Sequence, residues 1–156
     1  MKVFEDIFFS FTFAGEVASM AAAMQVLDIL ETTDALARIH VNGRVLQEGF
    51  NTLAKEAGLD DRLKCIGYPC WSLIKFLEPD GKDSFLVRSL FTQECVKRGV
   101  LLLASHNMTA AHDPRAIEQT LGVYAEVCKT LAKWLGESHP EEHLEGEMIQ
   151  PVFRVR

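Results

Sequence analysis

The 156-residue sequence has few positive charges and no long apolar run. Its 16 Lys and Arg face 22 Asp and Glu, a net charge of −6, which argues against nucleic-acid or anionic-membrane partners because both favour clustered cations. The apolar-rich segment from Thr12 to Leu30 is interrupted by Glu16, Gln25 and Asp28, so it falls short of the roughly 18 residues of a membrane span. The N-terminus has no signal-peptide layout, and we expect a cytoplasmic protein.

The sequence also lacks the common catalytic and metal-binding motifs. It contains no G-x-G-x-x-G, P-loop or G-x-S-x-G, the usual marks of nucleotide binding and serine hydrolysis. His139 and His143 lie four residues apart, but Pro140 and the acids between them indicate an exposed loop. We therefore predict no metal site and no catalytic residue within this chain.

The four cysteines fit no zinc pattern, because a C-x4-C pair with two distant cysteines is not a ligand set. We expect buried free thiols at Cys65, Cys70, Cys95 and Cys128. Hydrophobic residues make up 48% and charged residues 24% of the chain, the mix of an ordinary globular domain rather than a disordered segment.

Apolar residues recur at helical spacing in the first third of the chain. The first predicted helix carries a stripe formed by Phe13, Val17, Met20, Met24 and Leu27. The second begins at a cap among Thr32, Thr33 and Asp34 and ends before Gly58, with a stripe formed by Leu36, Ile39, Gly43, Leu46, Phe50, Leu53 and Ala57. Residues 1–13 hold five of the ten phenylalanines, which need burial that a chain end rarely provides alone.

The strand-forming segments follow. Residues 64–77 are rich in Ile, Tyr, Trp and Phe and predict one strand, bent at Gly67 and Pro69. Residues 100–104 predict a short buried strand, and residues 105–112 contain another. The predicted core includes Trp71, Phe76, Leu90, Tyr124 and Trp134.

Two later helices have clear caps. Ser84 can cap a helix that runs to about Arg98 with Phe85, Leu90, Phe91 and Val96 inward, and Asp113 followed by Pro114 starts a helix that Gly136 ends.

The predicted order is α-α-β-α-β-β-α, an α+β fold in which a helix pair leads into a small α/β layer with a short, mostly antiparallel sheet. We predict an interface segment with the helix pair over residues 1–58, a small α+β domain over 59–136, and a tail over 137–156.

Thr12 stands just before the first, small-residue helix. Its hydroxyl is a candidate N-cap, and the free N–H groups of a helix N-terminus also attract phosphate. The residues alone leave both interpretations open.

Four segments together resemble class III pyridoxal-phosphate (PLP) aminotransferases, most closely the glutamate-1-semialdehyde aminomutase group. The segment FFSFTFAGEVASMAAAMQVLDILE resembles the one that follows the family's cofactor lysine. The segments LQEGFNTLAKEAGL, LFTQECVKRGVLL and HNMTAAHDPRAIEQTLGVYAEV are similar, in order, to the next helix, a helix and strand of the small domain, and the closing strand and helix. The resemblance covers nearly the whole chain.

The resemblance implies a fold-type I homodimer with active sites at the subunit interface and small-molecule amino donors and acceptors. The family's Thr reaches the cofactor phosphate of the neighbouring subunit, and this role carries over to Thr12. The backbone N–H of Phe11, where the family usually has Gly, is implied to bind the same phosphate. Glu16 and Val17 replace the asparagine and proline that often follow in the family, which leaves the substrate subgroup open.

The family's Schiff-base lysine, pyridine-nitrogen aspartate and ring-stacking aromatic all lie upstream of this segment, and no lysine here occupies a matching position. We expect a C-terminal fragment whose partner is the enzyme's N-terminal large domain, and which is inactive alone because the chemistry needs that lysine. The alternative is a non-enzymatic α+β module that dimerises, with a regulatory or scaffolding role. Self-association is expected through the first helix and the phenylalanine-rich start.

Three polar residues lie at the ends of the last predicted strand. His106, Asn107 and His112 face a possible cleft and are candidates for an active-site wall. The alternative is that they are structural or simply exposed.

Overall fold

The computed structural model describes Thr12 and residues 15–150. The helices are α1 Val17–Thr32, α2 Ala35–Glu56, α3 Phe85–Lys97 and α4 Pro114–Trp134, and the strands are β1 Leu63–Tyr68, β2 Trp71–Phe76 and β3 Ser105–Asn107. A 3-10 turn follows over Pro140–His143. The chain divides into two compact units between Leu36 and Ala37, inside the predicted segment 1–58, and the boundary predicted after residue 58 stays a prediction.

Glu16 caps the helix of the first unit. Its carboxylate accepts hydrogen bonds from the backbone N–H groups of Ala18 at 2.7 Å and Ser19 at 2.6 Å. An acid suits this position because it satisfies unpaired N–H groups and complements the helix dipole. The N-cap interpretation of Thr12 is therefore wrong, since α1 begins at Val17. Phe13, predicted to begin the apolar stripe, lies outside the described residues.

No side chain of α1 is buried in the described structure. Its exposed large apolar side chains are Val17, Met20, Met24, Val26, Leu27 and Ile29. The helix itself is confirmed, but none of the described residues of its stripe is buried.

In the second unit, α2 contributes one face to the core, as its spacing predicts. Leu46, Phe50 and Ala54 are buried. Leu36, which α2 contributes to the first unit, is exposed although it is part of the predicted stripe. Gly43 lies against the turn between β1 and β2, where an added Cβ would stand 1.9 Å from the carbonyl oxygen of Pro69. A glycine is required here because any side chain would collide with that backbone.

The segment predicted as one bent strand is a hairpin. Strands β1 and β2 pair antiparallel from Leu63 opposite Phe76 to Tyr68 opposite Trp71, so only Pro69 and Cys70 form the turn. Proline lacks the N–H that a strand ladder requires, which explains why the strand ends there instead of bending.

The third strand adds to the other edge of β2, also antiparallel, in the order β1-β2-β3. The short strand predicted over residues 100–104 does not form. Leu101 and Leu103 are 84% and 80% exposed, and Ala104 has a left-handed φ of 62°, which interrupts an extended backbone. The mostly antiparallel sheet is confirmed.

One face of the sheet packs into the core. The core residues of this unit come from all three helices and the inward strand positions, and include Phe50, Leu63, Cys65, Ile74, Phe76, Leu90, Phe91, Tyr124, Val127 and Leu131. Phe76, Leu90 and Tyr124 are thus buried as predicted, and Trp134 packs partly buried against them. Trp71 is 58% exposed, so its assignment to the core is wrong: strand side chains alternate between faces, and its neighbour Ser72 points inward.

The predicted N-caps of α3 and α4 are confirmed, and the cap predicted for the second helix stays a prediction. Ser84 accepts from Val87 N–H at the start of α3, and Asp113 accepts from Ala116 N–H with Pro114 in the first turn of α4. Val96 is exposed rather than inward. Within the described residues, no helix is long and apolar enough to cross a membrane.

The segment after α4 is tied to α3 by side chains of that helix. Gln93 donates to the carbonyl of His143 at 2.9 Å and accepts from Glu145 N–H at 2.8 Å. Ser89 accepts from Ile149 N–H at 2.9 Å. The predicted tail is therefore part of the second unit over these residues.

Candidate functional site

The two predicted phosphate-binding residues lie at the start of the chain. Thr12 is exposed in a turn, five positions before the first residue of α1. Phe11 lies outside the described residues. The cofactor-binding roles of Thr12 and Phe11 stay predictions.

The three predicted wall residues line one cavity of about 230 Å³ in the second unit. His106 and Asn107 come from β3, and His112 comes from the loop before α4. The remaining lining residues are Leu46, Val100, Leu101, Leu102, Ser105, Met108, Ala116, Ile117, Thr120 and Tyr124. The structure therefore brings together three side chains that the sequence placed at strand ends.

His106 lies at the centre of a buried network that forms part of the wall of this cavity. Its Nδ1 is 2.9 Å from Ser72 Oγ and 3.7 Å from Cys65 Sγ, and its Nε2 is 2.9 Å from Tyr124 Oη. The network joins β1, β2, β3 and α4. Sequence reasoning gave no role to Ser72, although its inward position follows once the hairpin register is known.

Burial keeps the titratable side chains of this network in their neutral forms. Desolvation, followed by the nearby charge of His112, lowers the pKa of His106 to about 4, so the imidazole is neutral at pH 7. Burial raises the pKa of the Tyr124 phenol well above its usual range and also raises the pKa of the Cys65 thiol. A neutral imidazole has one donor and one acceptor, which matches a Tyr124 hydroxyl donating to Nε2 and Nδ1–H donating to Ser72.

These protonation states give the network a structural role. Ser72 is 0% exposed, so no substrate reaches its hydroxyl, and the neighbouring groups are held neutral. No fully buried side-chain N or O atom among the described residues lacks a partner. The network therefore positions His106 and the wall of the cavity and is not a nucleophile–base pair.

The wall of this cavity mixes apolar and polar side chains but has no Lys, Arg, Asp or Glu. His112 Nδ1 accepts from Thr109 N–H at 3.0 Å, and its backbone carbonyl accepts from Asn42 at 2.8 Å. The first bond orients the ring of His112 and the second holds its backbone, whereas Asn107 is exposed. The cavity can accept a small neutral polar group.

The remaining cysteines and histidines form no reactive cluster. Cys65, Cys95 and Cys128 are buried free thiols as predicted, and Cys70 is partly buried. Burial raises the pKa values of Cys95 and Cys128 to about 12, which keeps both thiols protonated.

The two C-terminal histidines do not converge. His143 bonds Glu137 at 2.6 Å and stacks on Trp134 with ring centroids 4.3 Å apart, whereas His139 bonds Glu141. Within residues 15–150, no group of three His, Cys, Asp or Glu is arranged to hold a metal ion.

The chain is similar to a solved structure described as the PLP internal aldimine form of the FumI protein from Sphingopyxis sp. MTA144. The match has a TM-score of 0.72 and 27% sequence identity, and it covers 88% of this chain and 33% of that chain. The chain thus spans about a third of the length of that protein. No family model and no curated protein matches the sequence. The predicted relation to a PLP enzyme is supported, and the class III assignment stays a prediction.

Proposed function

We propose that this chain is the C-terminal portion of a PLP-dependent aminotransferase or aminomutase that moves an amino group on a small amino-acid-like substrate. The observation that carries the proposal is the similarity to one third of a PLP protein over 88% of this chain. The order of the four family-like segments supports a class III enzyme. In such an enzyme, Thr12 and the N–H of Phe11 hold the cofactor phosphate of the neighbouring subunit.

The proposal assigns the Schiff-base lysine to another part of the enzyme. When bound, PLP supplies the electron sink that amino-group transfer needs, and a lysine amine must hold it and move the proton. None of the seven described lysines is buried. Lys75, which lines a surface cavity, is already paired with Asp83 at 2.7 Å. This chain therefore contributes phosphate contacts and a domain wall rather than the reacting amine.

Two apolar surfaces support a larger assembly. In the first unit, α1 exposes Val17, Met20 and Met24. In the second unit, the face of the hairpin away from the core exposes Ile66, Tyr68, Trp71 and Leu73, which lie opposite one another across β1 and β2. Contiguous exposed apolar surface is typical of interaction sites. We assign these surfaces to the large domain of the same enzyme and to a second subunit in a homodimer.

The first test is borohydride trapping of PLP. The 156-residue chain and the chain extended by the upstream reading frame are each mixed with PLP, reduced and digested. We expect one strongly labelled lysine in the extended protein, located before the residue that corresponds to Thr12. In the 156-residue chain, we expect only weak labelling spread over exposed lysines.

Two outcomes would contradict the proposal. A single trapped lysine within the 156 residues would show that the chain holds the reacting amine itself. An upstream frame without a labelled lysine would favour the alternative, a non-enzymatic dimerising α+β module. That alternative is supported by the second unit, which has a hydrophobic core of its own and whose fully buried side-chain polar atoms are all paired in the described structure.

A further inference from the structure

A second cavity, of about 160 Å³, lies where the end of β2 meets the start of α3. It is lined by Ile74, Lys75, Phe76, Asp83, Ser84, Phe85, Arg88 and Ala104. It shares no lining residue with the cavity at His106. Its lining includes two cations and one acid, so the cavity has an excess of positive charge.

Arg88 is the unusual member of this lining. Arg88 is partly buried as a residue, and its guanidinium makes no hydrogen bond or ion pair with any other described residue. The other half-buried arginines of the described chain are both paired: Arg62 bonds Leu77 O and Glu78, and Arg98 bonds Glu94 and Glu126. A guanidinium has five donors, and leaving it partly desolvated without a partner costs free energy.

Arg88 supplies the net positive charge of the cavity, because the other two charged side chains form a pair. Lys75 Nζ lies 2.7 Å from Asp83 Oδ1, so these two charges offset each other. The Ser84 hydroxyl has no proton left to donate to a ligand, since it donates to Glu78 and accepts from Val87 N–H. Lys75 retains two further N–H donors beside Asp83, because an ammonium carries three.

We propose that this cavity binds a small oxyanion, a carboxylate or a phosphate group, with Arg88 as its principal ligand and Lys75 as a second donor. The planar guanidinium fork matches two oxygens of such a group. A cavity of about 160 Å³ is large enough for more than one water, so it has room for a phosphate or a short carboxylate. The site is independent of the assignment to a PLP enzyme, because no residue proposed for that cofactor takes part.

The test is a titration of the ¹⁵N-labelled 156-residue chain with acetate and, separately, with inorganic phosphate, at constant ionic strength set with chloride. We expect saturable shifts of the amide signals of Ser84, Phe85, Arg88 and Ala104. Arg88→Gln is expected to weaken binding at least tenfold, the loss of about 1.4 kcal/mol. Arg88→Lys should weaken it less, because the charge remains while the fork is lost. The tighter of the two anions identifies the ligand class.

Arg115→Gln is the matched control, since Arg115 is an exposed arginine at the start of α4 without a partner among the described residues. It should bind as the unmodified chain does. Equal affinity in Arg88→Gln, an equal loss in Arg115→Gln, or shifts that never saturate would overturn the proposal. If Arg88→Gln fails to fold, Lys75→Gln tests the proposal in its place. This variant leaves the Asp83 charge unopposed and removes the second donor, so unchanged anion affinity would overturn the proposal.

Discussion

At the scale of single residues, Tyr124 provides the most specific contact of the His106 network. Removing its hydroxyl in Tyr124→Phe leaves His106 Nε2 without its donor in a buried setting. We expect the free energy of unfolding to fall by about 1–2 kcal/mol. Urea denaturation followed by circular dichroism measures the change.

The control is the chain's other tyrosine. Tyr68 is exposed on the outer face of β1, so Tyr68→Phe removes the same atom from a solvated position and should leave the unfolding free energy unchanged within about 0.5 kcal/mol. Equal effects of the two substitutions would show that the His106–Tyr124 bond contributes nothing.

The lowered pKa of His106 predicts an acid-sensitive fold. The folded-state pKa is about 4, below the ordinary value of about 6.5 for an unfolded chain, so the unfolded state binds more protons between these values. Stability is therefore complete above about pH 6.5 and falls as the pH drops towards 4. Between pH 7 and pH 5 the loss from this group is about 2 kcal/mol.

Urea unfolding at both pH values measures this loss, and His106→Gln is the matched variant. It should be less stable at pH 7, but its stability should change less between pH 7 and pH 5. An unaltered pH dependence in His106→Gln would show that another group is responsible. A direct NMR titration of the His106 ring, with an apparent pKa near 6.5, would contradict the assignment as well.

His106, Asn107 and His112 could be selected from the sequence because polar residues at a strand end stand out beside an apolar pattern. Ser72 and Cys65 could not, because a serine or cysteine inside a strand carries no local signal. Their contact with His106 depends on the register of three strands that are up to 41 residues apart in the chain. That register is a tertiary property.

At the scale of elements, Gly43 controls the approach of α2 to the hairpin. In Gly43→Ala the new methyl group would meet the carbonyl of Pro69, so α2 or the hairpin turn must move. We expect a loss of about 1–3 kcal/mol in the free energy of unfolding, the usual cost of overpacking. Thermal or urea unfolding measures it.

For Gly122→Ala, at another helical glycine, we expect the free energy of unfolding to rise instead of fall. Gly122 is exposed on α4, and its added Cβ would meet nothing within 4 Å, so the better helix propensity of alanine should stabilise the protein by about 0.5–1 kcal/mol. If both substitutions stabilise, the close approach of Gly43 to Pro69 is wrong.

The helices were predicted more accurately than the strands. Helix caps such as Ser84 and Asp113 are local, because the capping oxygen and the N–H it satisfies lie within three residues. The hairpin turn carries no local signal, because Pro69 and Cys70 lack the Asn-Gly or Asp-Gly pattern that marks two-residue turns. The valine and three leucines after Gly99 resemble a strand by composition, yet β3 pairs with β2 only at the positions from Trp71 to Leu73.

At the scale of the whole molecule, the exposed apolar side chains of α1 predict self-association of the 156-residue chain. Met20→Glu combined with Met24→Glu places two charges on that surface, where burial of a charge is costly. We expect the unmodified chain to sediment as a dimer or larger species and the double variant to sediment as a monomer with unchanged helix content.

Met148→Glu is the control, because Met148 is an exposed methionine of the second unit. It should leave the sedimentation coefficient unchanged. A monomeric unmodified chain across micromolar concentrations would contradict the proposed role of α1, and an equal effect of Met148→Glu would show a non-specific response to charge.

The attachment of the segment after α4 to α3 predicts how its backbone amides exchange with solvent. The backbone N–H groups of Glu145 and Ile149 donate to Gln93 and Ser89, two side chains on α3. Their protons can exchange with solvent deuterium only when this segment separates from α3, whether or not the core opens. The difference between these two exchange rates and those of core amides therefore reports how often the segment detaches from an otherwise folded domain.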